Sequence, residues 1–409
     1  MQRSRRVARA VFVVVVAALA VSGYLTGFGV LPILGIHEAT FAMLSFGGFI
    51  LVSGLVFATQ LSADESPRSL DEPIAAIVPT FRDANVLHHS VESLLAQDHP
   101  VHVYVVPEPD DEPGKEAARE FADHADVTCL VNPNPGSKAG AINGVIEQAS
   151  EEYFAVFDAD QRADPGFLAA VSGYLDEYDI VQARFVPRTD GTIESLAYYE
   201  FTLFGHAFRQ LLYLLTGFRM ATSKALVFTR DAIESVGGYD PDVVSEDYDF
   251  AHRAYLDGQR VKMLYSHIVT EESVHTLQDW WGQRKRWMTG NVQVLVRLLG
   301  YLRANPRYHR SYVSLGVGVM SIGGSAFLLS IAPKVLTVAQ LGHPEYALIP
   351  ILATYAVAVY ARRTDGLALG WTWLLTPLVL PLFSLITVMA FADYVFDFDG
   401  DWYVVHKGD

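Results

Sequence analysis

Two pairs of acids and one basic, aromatic run carry the chemistry this sequence offers. Asp158 and Asp160 close the apolar run that begins at Tyr153. Alternate residues of an extended chain share a face, so both carboxylates fall on one side at the run's end. Their repulsion vanishes if a hard divalent cation sits between them and phosphate oxygens complete its shell. The same pair also fits an acidic turn after a strand, with Asp160 as a cap. Glu246 and Asp247 follow Ser245 at the head of an amphipathic stretch that stops at Gly258. Carboxylates there can take a proton, or simply complement a helix dipole. The stretch 276–288 joins three Trp to three basic residues and contains Gln283, Arg286 and Trp287. Such a helix can bind phosphate and stack on a ring, or lie on a membrane surface.

Something must bring these groups together. Short apolar runs at 74–79, 101–106, 126–131 and 153–157 read as buried strands. Helical patterns at 85–97, 114–124 and 138–149 separate them. Alternation of this kind predicts an α/β fold with a parallel, doubly wound sheet. Right-handed crossovers put the strand ends on one edge. The loops bearing Thr80, Arg82, Asp83, Glu108, Asp110, Lys138 and the Asp158/Asp160 pair then converge. No G-x-G-x-x-G and no G-x-x-x-x-G-K-[ST] occurs, so neither a dinucleotide fingerprint nor a P-loop is supported. Further strands are expected at 180–186, 225–228 and 259–264. An aromatic segment over 192–218 is expected to be buried, and 292–301 to form an interface helix.

The chain has 409 residues, with 46 acidic against 30 Lys and Arg, for a net charge of −16. That balance argues against a nucleic-acid partner. The single cysteine, Cys129, excludes an intrachain disulfide framework. Apolar runs at 11–30, 39–61, 312–332, 345–361 and 370–392 suit a bilayer. Arg3, Arg5, Arg6 and Arg9 precede the first and hold the N-terminus in the cytoplasm by the positive-inside rule. The expected division is two spans over 1–61, a cytoplasmic catalytic domain over 62–290, an interface helix over 291–311, about three spans over 312–392 and an acidic tail over 393–409. The C-terminus then lies outside. Gly23-x-x-x-Gly27 matches a helix-packing pattern.

Taken in order, Lys138, the D-x-D of Asp158 and Asp160, the Glu246-Asp247 pair and Q-x-x-R-W at Gln283–Trp287 resemble a family 2 glycosyltransferase. The likeness is to the membrane-embedded cellulose, chitin and hyaluronan synthases. It covers about 74–290 and includes the flanking spans. It implies a GT-A fold with a parallel-type central sheet flanked by transmembrane helices. It implies a nucleotide-sugar donor, taken as a UDP-sugar, a Mg²⁺ or Mn²⁺ ion, and inversion at the anomeric carbon. Asp160 would bind the metal, with Asp158 beside it contacting metal or donor. Asp247 would be the general base, assisted by Glu246. Gln283, Arg286 and Trp287 would hold the diphosphate and frame the acceptor channel. Lys138 would seat the nucleotide, with Thr80, Asp83 and either Glu108 or Asp110 in the base and ribose pocket.

The chain departs from the family pattern at Pro79–Asp83, at Pro107–Asp110 and at Thr222-Ser223. The acceptor divides the readings. One is polymer synthesis. Another is transfer of one sugar to a polyprenyl phosphate or lipid-linked oligosaccharide. A third, from a different class, is a catalytically silent membrane scaffold.

Overall fold

The computed structural model describes residues 32–61, 69–396, 403 and 405. The apolar run 11–30, with Gly23 and Gly27, lies outside the described residues, as does the segment 62–68. The chain divides into two compact units. One takes the segment up to Thr189 and Phe218–His275. The other takes the helix ending at Leu61, Asp190–Gly217 and the chain from Thr276 to Val404. The breaks between the units fall at 190, 218 and 276.

The first unit is built on an eight-stranded sheet. Its strands are β1 (Ile74–Thr80), β2 (Val101–Pro107), β3 (Val127–Cys129), β4 (Tyr153–Val156), β5 (Arg162–Ala163), β6 (Ile180–Pro187), β7 (Leu226–Thr229) and β8 (Val261–Glu271). The order is β3-β2-β1-β4-β7-β6-β8-β5. β1 to β4 pair in parallel, and so do β6 and β8. β7 runs antiparallel to both β4 and β6, and β5 antiparallel to β8. The sheet is thus mixed, where a parallel one was expected. A short apolar run reports burial but not direction, and β7 is formed only after the chain has left this unit and returned.

Six carboxyl ends, including Thr80, Pro107, Val156 and Glu271, share one edge with the amino end of β7. Apolar side chains of β1 and β4, such as Ile77 and Phe154, are fully buried. Open α/β sheets bind ligands at such an edge. The register of β6 on β8 slips between Ala183 and Arg184. A bulge of this kind re-aims the side chains beside it.

The second unit is helical. Helix Leu277–Ala304 is continuous, so the basic aromatic stretch and the expected interface segment form one element. Among the described residues four helical segments are long and apolar enough to cross a membrane: Ala39–Leu61, His309–Gln340, Pro344–Thr364 and Thr372–Phe396. A Cβ on Gly47 would stand 2.6 Å from Ile349 Cγ2, and one on Gly54 2.4 Å from Val357 Cγ2. Helices Pro32–Leu61 and Pro344–Thr364 therefore run in the same direction with backbones close enough to require glycine. Lys285 pairs with Asp393, and Tyr403 Oη donates to Asp279 Oδ1 at 3.0 Å.

Candidate active site

The turn after β4 carries Asp158 and Asp160. Asp158 is partly exposed and accepts from Lys138 Nζ at 2.5 Å. Lys138 opens helix Lys138–Gln148, which Ser137 caps by accepting from Gly140 N at 3.0 Å. A Cβ on Gly140 would lie 2.0 Å from the Asn134 carbonyl, so glycine lets the helix start tightly against the 132–136 loop. Asp160 is buried, and its Oδ2 accepts from Glu272 N at 3.1 Å.

Two further groups fix this turn. Gln161 Oε1 accepts from Asp158 N at 3.0 Å, and Gln161 Nε2 donates to Glu271 Oε2 at 3.2 Å. Lys224 Nζ donates to both Glu271 oxygens at 2.9 and 2.8 Å. Burial pushes the Glu271 carboxyl upward and Lys224 pulls it back, while Asp160 and Asp158 add repulsion.

Glu246 and Asp247 begin helix Glu246–Asp257 with Asp249, where negative charge suits the dipole. Ser245 holds the capping position, but its side chain makes no capping bond. Asp249 is structural: Arg253 Nε donates to it at 2.6 Å and Arg253 Nη1 donates to the Val236 and Gly238 carbonyls. Glu246 is different. It is buried and accepts from Ser223 Oγ at 2.9 Å. Burial, followed by repulsion from Asp247, pushes its carboxyl up to about 7, against the pull of Lys138 and Ser223. Lys138 therefore acts electrostatically on both acid pairs. Nearby His252 is packed between Phe218 and Tyr248, and burial lowers it to about 3, which keeps it neutral.

Thr80 is buried at the end of β1. The carbonyl of Asp83 accepts from Val86 N and Leu87 N, starting the next helix. Asp110 is exposed. The neighbouring Asp111 is the buried acid, accepting from Arg82 N at 2.7 Å and Gly114 N at 3.2 Å. That bond holds Arg82 in a left-handed conformation (φ 60°). Asp111 was legible in principle, since Asp before Glu-Pro is a helix-cap signature. Glu108 accepts from Asn132 Nδ2 at 2.5 Å and Gly136 N at 3.0 Å, which ties β2 to the loop before Lys138.

Gln283, Arg286 and Trp287 lie on helix Leu277–Ala304 of the helical unit. Arg284, next to Gln283, is fully buried and pairs with buried Glu200 at 2.8 Å. Trp280 Nε1 donates to the same carboxylate oxygen at 2.8 Å. Arg284 lies over the Trp287 ring at 4.7 Å, and Gln283 Oε1 accepts from Arg284 Nη1. Among the described residues no three His, Cys, Asp or Glu side chains form a metal cage. Asp158 and Asp160 are hard oxygen donors from one turn. That set suits a cation that takes its remaining ligands from phosphate and water.

The mixed sheet is that of a GT-A fold. The model for glycosyl transferase family group 2 matches residues 153–392, and the chain belongs to that family. Among solved structures, a mannosyltransferase from Pyrobaculum calidifontis, in complex with GDP-Man and Mn²⁺, superposes with a TM-score of 0.57 at 18% identity. It covers 88% of this chain and 99% of that one. The β-monoglucosyldiacylglycerol synthase of Synechocystis is 29% identical over 179 residues, covering 41% of this chain and 35% of that protein. The cellulose synthase 1 catalytic subunit (UDP-forming) of Komagataeibacter xylinus is 26% identical over 243 residues, covering 56% and 32%. The chain spans about a third of the length of these two relatives.

Proposed function

We propose that this glycosyltransferase is embedded in the cell membrane, faces the cytoplasm with its sheet-based unit, and inverts the anomeric carbon of a nucleotide sugar. The acceptor is a hydroxyl of a lipid or of a growing or lipid-linked glycan. The observation that carries the reading is the meeting of two acid pairs at one sheet edge, Asp158/Asp160 and Glu246/Asp247, with Lys138 acting on both. The relatives' names support the substrate classes: a glycolipid synthase, a UDP-forming polysaccharide synthase and a mannosyltransferase solved with GDP-Man and Mn²⁺.

In this reading Asp160 and Asp158 hold Mg²⁺ or Mn²⁺, which when bound neutralises charge on a leaving diphosphate. Lys138 orients Asp158 and adds positive charge at the donor end. Asp247 takes the proton of the attacking hydroxyl. Glu246, pushed up to about 7, is about half protonated near neutrality and so lowers the negative charge beside Asp247, the residue assigned as base. Thr80, Asp83 and either Glu108 or Asp110 are assigned to the base and ribose. Gln283, Arg286 and Trp287 are assigned to diphosphate and acceptor.

Purified membranes supplied with radiolabelled UDP-glucose or GDP-mannose and Mn²⁺ test this. Label in organic-extractable lipid marks a lipid acceptor, and insoluble label marks a polymer. Failure of either sugar to leave its nucleotide above a no-protein control, across a panel of nucleotide sugars, would sink the assignment.

A further inference from the structure

Gln182 on β6 is 2% exposed, and every polar atom of its amide is used. Its Oε1 accepts from Thr222 N at 2.6 Å and Thr222 Oγ1 at 2.8 Å. Its Nε2 donates to the carbonyls of Lys224 at 3.0 Å, Ala225 at 3.2 Å and its neighbour Ala183 at 2.9 Å. Thr222 N can only donate, so the amide has one possible orientation. These bonds clamp the turn Thr222–Ala225 just before β7. Ala225 is held there at φ 47°, a left-handed backbone that a residue with a Cβ adopts only when its surroundings impose it.

Three arms leave this turn. The Ser223 carbonyl accepts from Lys138 Nζ at 2.5 Å, and Lys138 grips Asp158. The Ser223 hydroxyl donates to Glu246. Lys224 grips Glu271, which through Gln161 fixes the backbone N–H of Asp158. The donor acid is thus held from its side chain and its backbone by chains of bonds that start at the same four residues. The acceptor-side acid is held by the Ser223 hydroxyl.

The geometry points to Gln182 and the Thr222–Ala225 turn as a shared positioning element that sets the distance between the donor acids and the Glu246/Asp247 pair. This rests on the proposed glycosyl transfer. A misplacement of about 1 Å between reacting groups costs on the order of a hundredfold in rate, so a clamp of this kind matters beyond stability.

The test uses the full chain in membranes, with UDP-glucose or GDP-mannose and Mn²⁺, whichever the wild type turns over. Gln182→Met keeps the length and removes all five bonds. It is expected to lower kcat by about tenfold or more and to raise the donor KM, because both ends of the site move. Ser223→Ala cuts only the Glu246 arm. It is expected to lower kcat by about fivefold or more, leave the donor KM within about threefold and alter the pH profile of kcat, while Ser223→Thr restores all three. A purely structural role would lower the melting temperature without moving kcat or KM of the folded fraction, and that result overturns the proposal. If Gln182→Met does not fold, the Ser223 pair decides: Ser223→Ala with wild-type kcat and pH profile also overturns it. A wild-type chain that cleaves no nucleotide sugar refutes the glycosyl-transfer reading instead, so the two failures are distinct.

Discussion

Lys138 Nζ stands 2.5 Å from Asp158 Oδ1, the shortest link between the helix after β3 and the acidic turn after β4. The pair is only partly exposed, so water screens it incompletely. Replacing Lys138 with Met strands the carboxylate and removes positive charge from the donor end. Turnover is expected to fall about a hundredfold. Lys138→Arg keeps the charge but brings a planar fork to a site built for a point charge, so an intermediate rate is expected. Steady-state kinetics on both variants check this.

In the proposed mechanism Asp247 is the base and Glu246 its neighbour. Asp247→Asn is expected to lower turnover by about a hundredfold or more, with nucleotide-sugar affinity within about threefold of wild type. Equilibrium binding of radiolabelled donor to membranes separates the two quantities. Comparable turnover in variant and wild type would remove the base assignment.

The proposed metal role of Asp158 and Asp160 predicts metal dependence. EDTA is expected to stop transfer, and Mg²⁺ or Mn²⁺ to restore it. Asp160→Asn is expected to raise the half-saturating metal concentration by about tenfold or more, since a charged oxygen ligand becomes neutral. A metal titration of activity reads both, and full activity in EDTA excludes the role given to Asp160.

The Glu246 carboxyl, raised to about 7 by burial and by Asp247, makes stability depend on pH. The folded form binds more protons than the unfolded one between the ordinary glutamate value and about 7. Its contribution is complete below the unfolded value and is lost as pH rises through the folded one. Glu246→Gln is therefore expected to flatten that fall and to stabilise the protein by about 1–3 kcal/mol at pH 8, with little effect near pH 4. Urea unfolding across that pH range, in detergent, measures it.

In the helical unit Arg284 and Glu200 are buried together. Arg284→Met leaves an unpaired carboxylate and is expected to cost about 3–5 kcal/mol. Adding Glu200→Gln removes the stranded charge and is expected to recover most of the loss. A double-mutant comparison of thermal stability tests the pairing.

The residue types and their order along the chain already identify much of this protein. Buried apolar runs bounded by turn residues mark β1, β2 and β4, because a central strand needs apolar side chains on both faces. Long uncharged runs mark the apolar helices, because a bilayer demands length and little charge. The D-x-D and Glu-Asp pairs stand out as carboxylates placed where a strand ends or a helix begins.

Other features depend on contacts between residues distant in sequence, and only the tertiary structure decides them. Asp111 holds the loop after β1 by accepting from Arg82 N, 29 residues earlier. Arg284, flanked by residues of the same types, is the member of its run that turns inward to Glu200, 84 residues earlier. Strand direction in β7, and the meeting of Gln182, Ser223, Lys138 and Glu246 around one turn, follow from how the chain returns to the sheet. Local pattern reports burial and periodicity. Which polar groups satisfy one another inside is settled by packing, because a buried donor or acceptor without a partner costs too much to persist.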